Sequence, residues 1–295
     1  MAARRLLISY AHPDDESFGL GGLIAKYVAA GVDVSLICAT NGDRGTVAPE
    51  FLNGYESVAQ LRLAELDCAA EKLGIRHVFK LGYQDSGMMG SETSLAADCF
   101  WQAEQMEVTR RVVEVIREAK PQVIITFNRY GGYGHPDHIA IQRATTAAFS
   151  LAGDASFDTG QAPYHPQKLY YSGMPKAMLR FNIAMLRARG KDPRRLGKNR
   201  DIDMQAVLDT CEPIHTLIDV RNYFAQWDEA SQCHASQLGG GMPRLPLFLR
   251  KMVLPRQGFT RIFPAPSANR VDEYDLFAGV VPDKEAVSFQ PSAIS

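Results

Sequence analysis

Along the first half of the chain, apolar residues fall into two alternating rhythms. Short, nearly continuous aliphatic and β-branched runs predict strands over 5–10 (RLLISY), 33–39 (DVSLICA), 77–81 (HVFKL) and 122–127 (QVIITF). Between them, apolar positions recur at helical spacing over 20–30, 56–73, 101–119 and 138–151. Gly31 and Gly74 close two of these helices, and Pro121 marks the stop of a third. Strands and helices in alternation predict an α/β fold, a mostly parallel sheet flanked by helices. The fully apolar run 122–127 is of the kind buried on both faces. Beyond residue 152 the pattern weakens, predicting strands over 168–172 and 214–220, a helix over 221–238 and a last, edge strand over 274–280. Gly and Pro residues between 153 and 166 suit a domain boundary and an inserted loop equally well. We read 1–295 as one domain with a core over about 4–150 and a less regular C-terminal sub-region over about 151–295.

Composition narrows the class without changing this picture. With 46% hydrophobic and 22% charged residues, disordered, collagen-like and coiled-coil chains are excluded. A net charge of −1 gives no basic excess for coating nucleic acid. No apolar run approaches the ~18 residues of a membrane-spanning helix, and the N-terminus reads as a basic tip entering a strand, not a signal peptide. A cytoplasmic protein is the expectation, and a homo-oligomer is compatible with it. The five cysteines, Cys38, Cys68, Cys99, Cys211 and Cys233, are odd in number and lack a C-x-x-C pair. They predict small buried hydrophobes, with no disulfide framework and no thiolate metal site.

Two polar clusters stand where an open parallel sheet binds its ligands, beyond the carboxyl ends of strands. Ala11-His12-Pro13-Asp14-Asp15-Glu16 follows the first strand, and Gly131-Gly132-Tyr133-Gly134-His135-Pro136-Asp137-His138 follows the apolar strand 122–127. His12 and Asp15, three positions apart, can aim at one point, and His138 adds a second imidazole. Two imidazoles, one carboxylate and an open position make a catalytic zinc arrangement, and the same set suits ferrous iron. Asp14, beside a ligand but not needed as one, suits a general base. His135 is placed to act as an imidazolium that holds an oxyanion or protonates a leaving group. Asp137 can fix the tautomer of a histidine by a hydrogen bond. Taken singly, each cluster has a plainer reading: Asp14 and Asp15 as carboxylates capping a helix N-terminus, and His-Pro-Asp-His as a turn. Their joint occurrence at two strand-to-helix junctions is what points to metal chemistry.

These residues resemble the PIG-L/LmbE superfamily of zinc-dependent N-acetylglucosaminyl deacetylases, with its Rossmann-like fold and His-Pro-Asp-Asp-Glu motif. The resemblance implies that His12, Asp15 and His138 bind zinc, that Asp14 is the general base, that His135 is the cationic histidine, and that Tyr133 helps to stabilise the oxyanion. It extends through Arg62 in Leu61-Arg-Leu-Ala-Glu65 and through Leu81-Gly-Tyr-Gln-Asp-Ser-Gly-Met88, and more weakly to Gln232-Cys-His-Ala-Ser-Gln237. It implies substrate contacts by Arg62, Asp85 and Met88, with Arg62 and Asp85 on sugar hydroxyls. Without it, Arg62 reads as a solvated helix residue and Asp85-Ser86-Gly87 as an ordinary turn.

The Asp-Ser-Gly-Met segment resembles the deacetylases and amidases of mycothiol metabolism more than the shorter bacillithiol-type enzymes. The conjugate amidases tend to carry a lysine where this chain has Phe18-Gly19-Leu20, so the expected reaction is hydrolysis of the acetamide of an N-acetylglucosamine-type small molecule. Amidase action on a thiol conjugate or on another acylated amino sugar is the alternative. A non-catalytic metal- or sugar-binding protein would need neither Asp14 nor His135. A dinucleotide enzyme fails because Gly19-Leu-Gly-Gly22 lacks the G-x-G-x-x-G spacing and three carboxylates would repel the pyrophosphate. The basic segment 187–200 reads as a solvated loop, and 243–264 as a lid, an oligomer contact or an interfacial helix cut short by Pro246 and Pro255.

Overall fold

The computed structural model describes residues 3–197, 200–238, 251 and 256–281. Five parallel strands, β1 (Arg5–Tyr10), β2 (Asp33–Thr40), β3 (His77–Tyr83), β4 (Val123–Thr126) and β5 (Lys168–Gly173), are joined by β6 (Thr216–Asp219) and β7 (Arg256–Phe263). The sheet order is β3-β2-β1-β4-β5-β7-β6, with β7 antiparallel to both of its neighbours. Every residue of β4 is buried, as a central strand covered on both faces requires.

Three helices, α1 (Asp15–Ala29), α2 (Val58–Leu73) and α8 (Phe224–Cys233), pack on one another over β1 and β2. The right-handed crossovers put α3 (Gln105–Ala119) and α5 (Pro136–Leu151) together on the other face. In α3, Val108, Val112, Val113 and Ile116 form the buried stripe that the helical spacing predicts. Ser57 caps the start of α2, accepting from Gln60 N at 3.1 Å, and Gly74 ends it at a φ of 73°, which glycine adopts without strain. The Gly21-Gly22 pair of α1 has a packing role. A Cβ on either would come within 2.5 or 2.8 Å of Trp227 of α8, so both must be small for the two helices to meet.

Connections from β1 and β4, side by side in the sheet, leave in opposite directions, opening a crevice at the carboxyl ends of both strands. The short, kinked α4 (Gly131–Gly134) leads from β4 towards α5, while α6 (Lys176–Ala188) and α7 (Met204–Thr210) follow β5. No helix among the described residues is long and apolar enough to cross a membrane.

The structure departs from the sequence pattern in four places. Residues 274–280 form no strand. They are held as turns by Ala278 N to Asp275 O and Val280 N to Phe277 O, and pinned by Tyr27, whose hydroxyl donates to Asp275 and accepts from Leu276 N. The segment read as a lid or interfacial helix instead supplies β7 between β5 and β6; 243–250 and 252–255 lie outside the described residues. The basic segment 187–200 begins in the last turn of α6, and 198–199 also lie outside the described residues. Finally, Cys68 of α2 and Cys233 of α8 are joined in a disulfide, 165 residues apart in sequence, whereas Cys38 and Cys99 are buried thiols. Local spacing carries no trace of a pair brought together by helix packing.

Candidate functional site

Both polar clusters arrive at the crevice. The backbone turns sharply at Asp14, whose φ of 130° is rare for a residue other than glycine. Arg62, buried on α2, holds this turn: its guanidinium donates to Pro13 O, to Gly42 O at 3.1 Å and to Asp14 Oδ2 at 3.0 Å. Asp14 stands at the N-cap of α1, yet its carboxylate caps nothing and lines the crevice instead. Burial pushes that carboxyl up to about 7, against the pull of the Arg62 charge. Asp15 Oδ2 accepts from His12 N at 2.8 Å, which closes the turn and fixes the carboxylate beside the His12 ring.

Three donors converge. His12 Nδ1 lies 3.0 Å from His138 Nε2, and the Asp15 carboxylate lies 3.5 Å from the first and 3.4 Å from the second. The outer nitrogens are both occupied, His12 Nε2 with Asp137 Oδ2 at 3.1 Å and His138 Nδ1 with Gly131 O at 3.1 Å. Both partners act as acceptors, so the outer nitrogens carry the protons and the facing nitrogens present lone pairs. Two lone pairs and a carboxylate at such separations repel unless a cation sits among them, so the donor set fits a divalent metal. His135 brings a further donor atom within 4.8 Å of those of His12 and His138. Burial disfavours charge on His12, but the carboxylates of Asp85, Asp137 and Asp15 overcome this and favour positive charge at that point.

Asp137 is fully buried and held from the chain after β3: Ser86 N donates to Oδ2 at 2.9 Å and Ser86 Oγ to Oδ1. His135 accepts from Asp137 N through Nδ1 at 3.2 Å, which leaves the proton on Nε2. Burial, with His12 and His138 alongside, holds its pKa well below the ordinary value. This shift runs against the imidazolium expected from sequence. Burial likewise raises the Tyr133 phenol.

A polar cavity of about 600 Å³ opens above these groups, lined by His12, Asp14, Arg62, Asp85, Met88, Tyr133 and His135. The other three site residues expected from sequence, Asp15, Asp137 and His138, each contact His12. Arg62, at 3% exposure, is no solvated helix residue. Sequence reasoning passed over the residues that brace the site. These are Ser86 and two buried pairs: Glu16 with His234, at 2.7 Å, and Glu65 with Ser236, at 2.7 Å through its hydroxyl. One signal was available, since Arg62 and Glu65 are charges on the otherwise apolar inward face of α2.

The chain is similar to several known proteins. The family model described as GlcNAc-PI de-N-acetylase (PIG-L) matches residues 7–149. A 1D-myo-inositol 2-acetamido-2-deoxy-alpha-D-glucopyranoside deacetylase of Thermobispora bispora is 34% identical, over 95% of this chain and all of its own length. The enzyme of the same name from Thermobifida fusca is 36% identical, over 84% of this chain and 88% of its own. Among solved structures, the N,N'-diacetylchitobiose deacetylase from Pyrococcus horikoshii superposes with a TM-score of 0.62 at 18% identity, over 90% of this chain and 88% of that one, a likeness of fold. The chain belongs to the PIG-L family of de-N-acetylases.

Proposed function

We propose that the protein hydrolyses the acetamide of an N-acetylglucosamine-type substrate, releasing acetate and the free amine, and that His12, Asp15 and His138 hold the metal. The carrying observation is the convergence of His12 Nδ1, His138 Nε2 and the Asp15 carboxylate with both outer imidazole nitrogens tied off. Zinc is the leading occupant of a two-histidine, one-carboxylate set, with ferrous iron as the other candidate. When bound, the metal acidifies a water molecule and polarises the amide carbonyl.

The chain's own groups do the rest. Asp14, free of any capping bond, takes the proton as the water oxygen bonds to the carbonyl carbon. Arg62 keeps that carboxylate aimed into the cavity. His135 offers its Nε2–H as a hydrogen bond to the developing oxyanion, and the Tyr133 phenol, on the cavity wall, adds a second donor. Breakage of the C–N bond leaves an amine that takes the proton Asp14 accepted from the water. Asp137, anchored by Ser86, keeps His12 in the tautomer that presents Nδ1. Arg62, Asp85 and Met88 border the space for the sugar, where Asp85 offers a carboxylate to hydroxyl groups.

The names of the relatives point to 1D-myo-inositol 2-acetamido-2-deoxy-α-D-glucopyranoside as the first substrate to test. The experiment is amine release from a panel of N-acetylglucosaminides headed by that compound. Metal-stripped protein reloaded with zinc is compared with His138→Ala protein as the blank. Release that needs both zinc and His138 is the expected result. Zinc bound without release from any sugar would overturn the substrate class, and failure to bind zinc would overturn the metal centre.

A further inference from the structure

A second cavity, of about 490 Å³, meets the polar one at Asp14 and Tyr133 and also touches Asp15 and His138. Its character is different. Tyr10, Phe127, Met174, Leu179, Met204 and Val207 are among the residues that line it. An aromatic stack leads into it from the centre: the His138 ring lies 3.9 Å from Phe127 in parallel, and Phe127 lies 4.1 Å from Tyr10. The polar cavity offers groups for hydroxyls, whereas this chamber offers chiefly hydrocarbon. An amide carbonyl held at the three donors has its nitrogen on the sugar side, so the acyl carbon chain must leave in the other direction. A methyl group fills only a small part of such a space.

We propose that this chamber receives the acyl chain of the substrate amide and admits chains well beyond acetyl, to about hexanoyl. The protein would then remove longer N-acyl groups from amino sugars by the same hydrolysis, in which water supplies the hydroxyl of the released acid and the amine takes the proton. The proposal rests on the deacetylase reading above and deepens it. Room for the chain is left in part by Gly19 in helix α1. A Cβ there would meet only the Tyr10 ring edge, at 3.8 Å, so a larger side chain would project into the chamber.

The test uses a series of N-acyl glucosaminides from acetyl to hexanoyl, and two variants that fill the chamber from different elements, Gly19→Leu on α1 and Val207→Trp on α7. Gly19→Leu also replaces a poor helix former by a good one, so folding is not put at risk. Binding to metal-stripped protein is measured by calorimetry, where no turnover intervenes. Affinity is expected to rise about fourfold per added methylene, the usual gain for burying one. The heat-capacity change should grow more negative along the series, and both variants should flatten it. With zinc restored, the ratio of hexanoyl to acetyl kcat/KM should be at least one in the natural protein and fall at least tenfold in each variant. An affinity that ignores chain length, a series unmoved by both variants, or cleavage of acetyl without hexanoyl overturns the proposal. If no amide is cleaved at any length while binding still follows the chain and both variants abolish that trend, the deacetylase reading falls and the chamber stands as a chain-binding site.

Discussion

Asp14 is held in a backbone conformation that few residues tolerate, at a cost of about 1–3 kcal/mol. The surroundings over-determine it: Arg62 grips Pro13 O and the Asp14 carboxylate, Glu16 Oε2 accepts from Asp14 N at 3.0 Å, and Asp14 O begins α1 by accepting from Phe18 N at 2.8 Å. The result is a carboxylate at a helix N-cap that does no capping, which suits a base. Asp14→Asn is expected to lower turnover by roughly 10²–10⁴-fold with metal content unchanged by elemental analysis; lost metal would make Asp14 a ligand. Ser86 acts one step further back. Removing its hydroxyl leaves Asp137 Oδ1 without its donor, so the grip on the His12 tautomer weakens. Ser86→Ala should weaken zinc binding by about 10–100-fold, read by competition with a chelating dye, and an unchanged affinity would show that Ser86 N alone suffices.

At the scale of elements, α1, α2 and α8 form the wall that carries Asp14, Arg62 and the braces behind them. The Cys68–Cys233 disulfide ties α2 to α8 immediately before His234 and Ser236, which bond to Glu16 of α1 and Glu65 of α2. Cys68→Ser is expected to cost about 2–4 kcal/mol in denaturant unfolding, and a loss near zero would mean that packing alone joins the helices. Burial by itself would lower the His234 pKa, but Glu16, Asp14 and Glu65 face it, and the net shift is upwards. Because the folded value is raised, the charged ring stabilises the fold fully below its unfolded value of about 6.5. That contribution is lost as pH rises through the folded value. In metal-stripped protein the melting temperature should therefore fall across neutral pH, and His234→Gln should lack that component. Parallel pH profiles for the two proteins would contradict the assignment.

For the whole molecule, the decisive feature is where β1 and β4 lie side by side. Their connections part, and the two histidine motifs, more than a hundred residues apart in sequence, meet in the gap. Beneath it the sheet core is complete without any metal, with Leu6, Leu7, Ile8, Val123, Ile124 and Ile125 all essentially inaccessible. Metal removal is accordingly expected to leave the far-ultraviolet spectrum intact while lowering stability by about 2.7 kcal/mol relative to protein with free metal at a hundred times Kd. Global unfolding on chelation would show instead that the metal is part of the core.

Much of this was legible in the chain alone. The five parallel strands and the helices between them follow from apolar period and from breakers such as Gly74 and Pro121, because those signals are local and tertiary packing does not oppose them. The two site motifs were legible for a related reason. Each is contiguous, and His12, Asp14, Asp15, His135 and His138 combine donor types that a structural turn does not need together. What lay beyond the sequence was long-range. Strand β7 pairs with β5 and β6 from the far end of the chain, and Cys68 finds Cys233 only through helix packing. Ser86 matters only because it reaches Asp137, and the polar and apolar cavities exist only as gaps between elements. Local sequence carries propensity and chemical type; distances between remote side chains are decided by how the buried faces fit, and that is settled only in the folded molecule.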